Sequence, residues 1–520
     1  MSESTLKKSS YNLIFGVLGQ LIAIAFGIIL PRLVLVEYGS EINGLINSVT
    51  QIFSYFSLLE AGVGGVALQS LYKTVGKQDN QETNAILSAV NIFYRRTSLL
   101  YFIAVIVLAI GYPIVVDTSI SWWIIVAVIA CNGIGPVANY LVRAKYSLLL
   151  QAEGKNYILI NIETSMHVLV NIAKIALLMN GLNVVVVQFS ALVFNLVQTA
   201  IVFLYIKNKY KWIDLNVTPN NDALKQSKNA MVHQLGALVF NNTDTILLTL
   251  FAGLSQVSVY AIYALLFGMV KTAIYTINES LKFILGQSFN NDIDRFKKIN
   301  RIYENYYIAI VVALYTIASF FMVPFLRLYT AGIDDADYFM PWLALIFAIS
   351  NILTYVRTPS LQVIGFAKHY KETQSRCIIE TVINLVVSIA LVIPFGIYGV
   401  LIGTIVALIY RTVDMVVYAN KKILNQGFGA TMLKIVVYFI IFTAIQIVNS
   451  YIVLDLTSYV KIVLWCIPYS AVVVSVFFTA AVALDIESAR FIIDEIKEKI
   501  LNRRRCGKNA DIIDDTAGRD

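Results

Sequence analysis

Three cations stand inside long apolar runs of the sequence: Arg32, directly after Pro31, then Lys174 and Lys271. An ionisable group at the middle of a bilayer costs about 2.5–3.5 kcal/mol on insertion scales, so it normally faces a cavity or a partner. None of the three has an opposite charge one helical turn away. Arg411 with Asp414 and Lys282 with Glu279 do, at i,i+3 spacing. Two readings stay open for Arg32, Lys174 and Lys271: a shared cationic cavity that takes an anionic group, or structural pairing with residues distant in sequence.

A second polar set occupies equally apolar surroundings: Glu60, Glu163, Asn241, Asn242, Asp244, Glu380 and Asn384. A carboxylate in a low-dielectric cavity has its neutral form favoured and can carry a proton, or it can ligate a sodium ion. Asp244, in Asn241-Asn242-Thr243-Asp244-Thr245, is the strongest single candidate, with Glu60, Glu163 and Glu380 as alternatives. Hydrogen bonding between helices is the competing role. The four cysteines (Cys131, Cys377, Cys466, Cys506) and three histidines (His167, His233, His369) are scattered, which argues against a disulfide framework or a zinc site. No Gly-rich nucleotide loop is present. No catalytic residues and no cofactor are expected, beyond Na+ or H+ as a coupling ion.

The elements that must position these residues follow from composition. Of 520 residues 58% are apolar and 14% charged, which describes an all-α polytopic membrane protein and leaves no room for a large soluble domain. Apolar runs and the breaks between them predict fourteen spans: 11–36, 42–71, 86–116, 122–150, 157–180, 183–206, 226–253, 257–288, 301–327, 338–364, 371–394, 397–420, 432–454 and 458–484. The first is too long for a signal peptide. Apart from Arg32, Lys174, Lys271, Lys282 and Arg411 within the spans, every Lys and Arg except Arg327 and Lys461 falls on one side, so that side is expected to be cytosolic and to hold both ends. The net charge of +8 is therefore a topology signal, and no nucleic-acid partner is expected.

Tyr140, Arg143, Lys155, Tyr157 and Glu163-Thr164 reappear at a near-constant offset as Tyr355, Arg357, Lys368, Tyr370 and Glu380-Thr381. The repeat predicts two six-helix lobes, 1–206 and 226–421, joined by a cytosolic linker, 207–225. Helices 13 and 14 (422–484) and a cytosolic tail (485–520) follow. With an even number of spans, both lobes keep one membrane orientation, which suits alternating access by rocking. In the tail, Ile486, Ala489, Ile492, Ile493, Ile496 and Ile500 share a helical face ahead of Arg503-Arg504-Arg505, the pattern of an interfacial helix on anionic lipid or of a solvated basic tail.

Two stretches, Glu37-Tyr38-Gly39-Ser40-Glu41-Ile42-Asn43-Gly44-Leu45 and Leu59-Glu60-Ala61-Gly62-Val63-Gly64-Gly65-Val66-Ala67, resemble the opening helices of Wzx-type polysaccharide repeat-unit flippases. Gly399-Val400-Leu401-Ile402-Gly403-Thr404 and Arg411-Thr412-Val413-Asp414 are similar to that family's later segments. The resemblance implies membership of the multidrug/oligosaccharidyl-lipid/polysaccharide exporter superfamily, with lipid II flippases and multidrug and toxic compound extrusion antiporters as relatives. It implies a flippase for undecaprenyl-diphosphate-linked oligosaccharide in the bacterial cytoplasmic membrane, serving capsule, O-antigen or exopolysaccharide export beside a polysaccharide polymerase. It also implies a cation site matching that of lipid II flippases at Asp244, Asn384, Ser388, the carbonyl of Val400, and Thr404, with Ser388 standing where the pattern has a carboxylate. A cation antiporter or a lipid II flippase is the alternative. A glycan polymerase or ligase fits less well, because the longest outer loop, near Leu328 to Asp337, is only about ten residues.

The charge asymmetry makes a direct prediction. In sealed cells, an impermeant thiol reagent should label a cysteine introduced within 334–337 and not one within the 207–222 linker. Labelling of the linker would overturn the topology.

Overall fold

A computed structural model of the protein describes residues 3–56, 63–224, 242–452, 454 and 456–491, with side chains from residue 24 onward. The described residues are helical apart from short connections. α1 (Glu3–Phe56), α2 (Val63–Gly76), α3 (Asn80–Val115), α4 (Trp122–Ala138), α5 (Ala144–Ala152), α6 (Asn156–Met179) and α7 (Val184–Lys209) come first. Then come α8 (242–251), α9 (Leu254–Asn291), α10 (Ile293–Tyr329), α11 (Pro341–Val356), α12 (Thr358–Phe366), α13 (Tyr370–Phe395), α14 (Ile397–Tyr418), α15 (Gly429–Tyr451) and α16 (Tyr459–Leu484). Helices are what a chain in lipid must form, since every backbone polar group has to be satisfied within the segment. Eleven of the fourteen expected spans coincide with helices long and apolar enough to cross a membrane. The first, second and seventh run through residues 1–23, 57–62 and 225–241, where the chain or its side chains lie outside the described set, as do Glu60, Asn241 and the tail beyond 491.

Local chemistry fixes the ends and breaks. Asp79 caps α3 by accepting from the Glu82 amide at 3.0 Å, and Asn183 caps α7 by accepting from Val185 at 2.9 Å. Pro136 removes an amide donor from α4, and a π turn at Asn139–Arg143 follows before α5 resumes. Gly39, at φ +80°, breaks α1 between the first two expected spans, a conformation that costs a residue with a Cβ.

Packing divides the chain into two compact units. The first comprises Met1–Leu266, Tyr329–Leu343 and Cys377–Ala407; the second comprises Phe267–Leu328, Ala344–Arg376 and Leu408–Asp520. The core of the first is built from Leu45 and Val49 of α1, Leu71 of α2, Leu87 and Val90 of α3, Val128 and Ile129 of α4, and Leu149 of α5. Gly44 lets α1 touch the start of α9, where a Cβ would overlap the Leu254 carbonyl. After α7 the chain runs back over the N-terminal end of α3. Asn84 donates to the Trp212 carbonyl at 3.1 Å, and the Ser88 hydroxyl lies 2.9 and 3.0 Å from the carbonyls of Leu215 and Val217. Glu153 accepts from the Tyr210 hydroxyl and pairs with Lys155 at 2.8 Å. Hydrogen bonds to Glu153 and Tyr210 raise the Lys155 pKa, and burial, with Glu153 adding to it, pushes Tyr210 up to about 12.

In the second unit, Phe267 of α9 stacks on Phe347 of α11 with ring centroids 5.7 Å apart. Buried Lys434 of α15 stands 3.8 Å from Glu304 of α10 and 3.4 Å from Asp485, just past α16, while Arg301 donates to Asp485 at 2.7 Å. Burial alone would raise the Asp485 pKa, but hydrogen bonds from Arg301 and Ser488 hold it below the usual carboxylate value. The sequence pairs are present as well: Arg411–Asp414 at 2.7 Å and Lys282–Glu279 at 3.0 Å.

The α1–α9 approach is testable. Gly44→Ala should cost about 1–3 kcal/mol by overpacking and lower the unfolding midpoint in detergent. Gly65→Ala, with open space around its Cβ, should unfold with the parent. Equal midpoints for Gly44→Ala and the parent would rule out so close an approach.

Candidate functional site

Two glycine-bearing turns of α14 face α13 within the first unit. A Cβ on Gly403 would overlap the Ser388 side chain, so glycine is what lets the two helices meet there. Asn384 and Ser388 follow one another at i,i+4 on α13, and Val400 and Thr404 do the same on α14, so each pair shares a helix face. The Ser388 hydroxyl donates to the Val400 carbonyl at 3.1 Å, and the Asn384 amide donates to the Thr404 hydroxyl at 2.9 Å.

Asp244 of α8 completes this group and is buried, with 5% of its surface exposed. Its carboxylate oxygens lie 3.2 and 3.1 Å from the Thr404 hydroxyl, and Oδ2 accepts from the Tyr260 hydroxyl at 3.0 Å. Thr404 Oγ1 is also 3.2 Å from the Val400 carbonyl. One hydroxyl proton cannot serve the carboxylate and the carbonyl together, so acceptors crowd this point. The groups are a carboxylate, hydroxyls, a carbonyl and an amide, the oxygen-rich chemistry that hard cations take, and they carry a single formal negative charge. That set fits one monovalent cation. Thr243, beside Asp244, is 3.1 Å from the Tyr55 hydroxyl. Thr249, further along α8, donates to Ser48 of α1 at 2.8 Å, and Tyr112 of α3 donates to the same hydroxyl at 2.9 Å.

A second polar chain begins where Gly39 breaks α1. The Ser40 amide and hydroxyl both donate to Asp335 at 2.6 Å. The Tyr338 hydroxyl lies 2.7 Å from Ser40 and 2.7 Å from Ser258 of α9, to which Asn43 also donates at 2.7 Å. These groups tie α1 to the first turn of α9 and to the 330–340 connection, which the charge pattern assigns to the outer side.

The remaining sequence candidates are dispersed. Arg32 donates to the Tyr329 carbonyl at the end of α10 and lies over that ring, 5.8 Å from its centroid. A cation there satisfies a carbonyl of the last helical turn and opposes the negative end of the helix dipole. Lys174 of α6 is partly buried and has no hydrogen-bond or ion-pair partner among the described residues. Lys271, on the part of α9 in the second unit, is exposed. Glu163 pairs with Arg143, the residue that ends the π turn. Glu380 is buried on α13, one turn before Asn384 on the same face. The sequence reading missed Tyr260, Ser40, Ser258, Tyr338 and Asp335. Ser40 at least stood in a motif that had been singled out. Tyr260 is one tyrosine among 30 and carried no signal.

No protein-family model and no curated protein sequence matches the chain. Solved structures do match by shape. A structure described as lipid II flippase MurJ in an inward closed conformation superposes with a TM-score of 0.68 at 12% identity, covering 90% of this chain and 100% of that one. An inward-facing multidrug resistance MATE family transporter of the MOP superfamily gives 0.58 at 14% identity, over 82% of this chain and 95% of the other. The MATE multidrug transporter DinF-BH gives 0.54 at 13% identity, over 79% of this chain and 94% of the other. The chain is thus a multi-pass, all-helical membrane protein with the fold shared by the lipid II flippase and the MATE transporters of the MOP superfamily.

Proposed function

We propose that this protein flips undecaprenyl-diphosphate-linked oligosaccharide repeat units from the inner to the outer leaflet of the bacterial cytoplasmic membrane by alternating access, for capsule, O-antigen or exopolysaccharide export. The observation that carries the reading is Lys174, an ammonium on a membrane-spanning helix with no partner among the described residues. An ammonium in that position suits an anionic cargo such as a diphosphate and disfavours a cationic drug. The fold of a solved lipid II flippase supports the same class of cargo, a polar head on a polyprenyl carrier that stays in lipid. In the reading, Arg32, which shares the first unit with Lys174, contributes positive potential to the same part of the protein.

Coupling falls to the cluster around Asp244. A cation or proton held there neutralises the buried carboxylate, and it biases the two conformations only if Asp244, Asn384, Ser388, Val400 and Thr404 converge better in one than in the other.

Two experiments test the reading. In cells lacking the native gene, Lys174→Gln should abolish surface polymer at unchanged protein abundance, while Arg32→Gln should lose abundance as well as export because the bond from α1 to the Tyr329 carbonyl is gone. Normal polymer with Lys174→Gln would defeat the anionic-cargo reading. In proteoliposomes, parent protein should flip faster under an imposed Na+ or H+ gradient, and Asp244→Asn should flip at one rate with or without it. A full gradient response in Asp244→Asn would move the coupling role to Glu380, Glu163 or Glu60.

A further inference from the structure

Asp244 reaches its oxygen neighbours with help from a residue outside the set that the family resemblance supplies. Tyr260 stands on the second turn of α9 and donates to Oδ2 from a ring fixed on a different helix from Asn384, Ser388, Val400 and Thr404. The position of Ser388 explains why such a donor matters. A second carboxylate there would share the work of fixing a cation, but Ser388 brings a neutral hydroxyl already engaged with the Val400 carbonyl. Among the described residues that make these contacts, Asp244 brings the one carboxylate. A carboxylate free to rotate would present its oxygens to Thr404 only part of the time, and ordering it on cation binding would weaken affinity.

We propose that Tyr260 is a positioning residue of the Asp244 site: its hydroxyl locks the carboxylate rotamer, so that one carboxylate with neutral oxygens suffices to hold a monovalent hard cation. The inference rests on the cation reading of that site. It also sets selectivity. One negative charge neutralises Na+ or Li+, whereas Mg2+ or Ca2+ would leave a net positive charge in the membrane interior, which is heavily penalised.

The test uses purified full-length protein in detergent, unfolded thermally at constant ionic strength in NaCl, LiCl or choline chloride mixtures, with MgCl2 and CaCl2 as further arms. The parent midpoint should rise saturably with NaCl and not with the divalent salts. Tyr260→Phe should raise the NaCl concentration for half the rise about tenfold, the effect of losing one hydrogen bond to a charged group, beyond whatever the lost bond costs the choline chloride midpoint. A purely packing role would lower the choline midpoint and leave the sodium titration in place, which would overturn the proposal. Should Tyr260→Phe not yield monodisperse protein, 3-fluorotyrosine at position 260 gives a second readout. Its 19F resonance should shift with NaCl in the parent and not in Asp244→Asn, and an unmoved resonance in the parent would also overturn it. Failure of the underlying reading looks different: the parent itself would then show no sodium-dependent midpoint. A rise with the divalent salts equal to that with NaCl would refute the charge argument.

Discussion

A buried carboxylate has to be solvated by the protein, and at Asp244 groups from two other helices meet that requirement. A charge buried without such partners is far costlier than any single packing defect. The hydroxyls of Tyr260 and Thr404 supply what water would. Each of those groups is placed by something further out. Thr404 reaches Asp244 because Gly403 lets α14 lie against α13, and Asn384 turns its amide onto the Thr404 hydroxyl. Gly44 lets α1 meet Leu254 at the start of α9, the helix that carries Tyr260. Small residues therefore do more than tighten helix packing in this protein; they set the distance at which polar groups on different helices meet.

The same logic governs the break at Gly39. A glycine at φ +80° ends one helical segment and starts another, and a Cβ there would lie 2.7 Å from an Asp335 carboxylate oxygen. The break turns the Ser40 amide and hydroxyl toward that carboxylate. Hydroxyl-to-hydroxyl contacts through Tyr338 and Ser258 then carry the connection into α9. Such bonds are individually modest and can be exchanged for water. The ion pairs that Lys434 makes with Glu304 and Asp485 in the second unit are of another kind, because parting them would leave buried charges alone.

What the sequence made legible follows from how far each signal reaches. Apolar runs are local, and the span pattern, the break near Gly39 and the i,i+3 pairs at Arg411–Asp414 and Lys282–Glu279 could all be read from neighbouring residues. Asp244 stood out because a carboxylate in an apolar run is conspicuous wherever it packs. Its partners were another matter: Thr404 lies 160 residues away, and only a family pattern pointed to it. Arg32 was legible as an oddity but not as a helix cap, since the carbonyl it serves is 297 residues along the chain. Tyr260 was invisible because tyrosines are common at membrane interfaces, and nothing in its flanking residues separates a hydrogen-bond donor from a belt residue. The π turn at Asn139–Arg143 was equally hidden, although it is the segment that delivers Arg143 to Glu163.

On the proposed reading, the charges of cargo and coupling site set the direction of transport. A diphosphate head moving outward across an inside-negative membrane is driven by the potential, at about 2.3 kcal/mol per elementary charge per 100 mV, or about 4.6 kcal/mol for two charges. Lys174 and its fellow cations travel little, so they lower the barrier to entry without altering that driving force. A single cation accompanying the empty protein on its return inward would neutralise the Asp244 carboxylate, so that step would move no net charge. A site with one carboxylate is matched to this role, since it is neutral when loaded and can pass between conformations without holding a bare charge in the hydrocarbon. With a second carboxylate in place of Ser388, the site loaded with a monovalent cation would keep a net negative charge, and enclosing that charge during the return step would raise its barrier. The serine is therefore consistent with a transporter whose return is assisted by one monovalent cation and whose forward step is driven by the cargo's own charge.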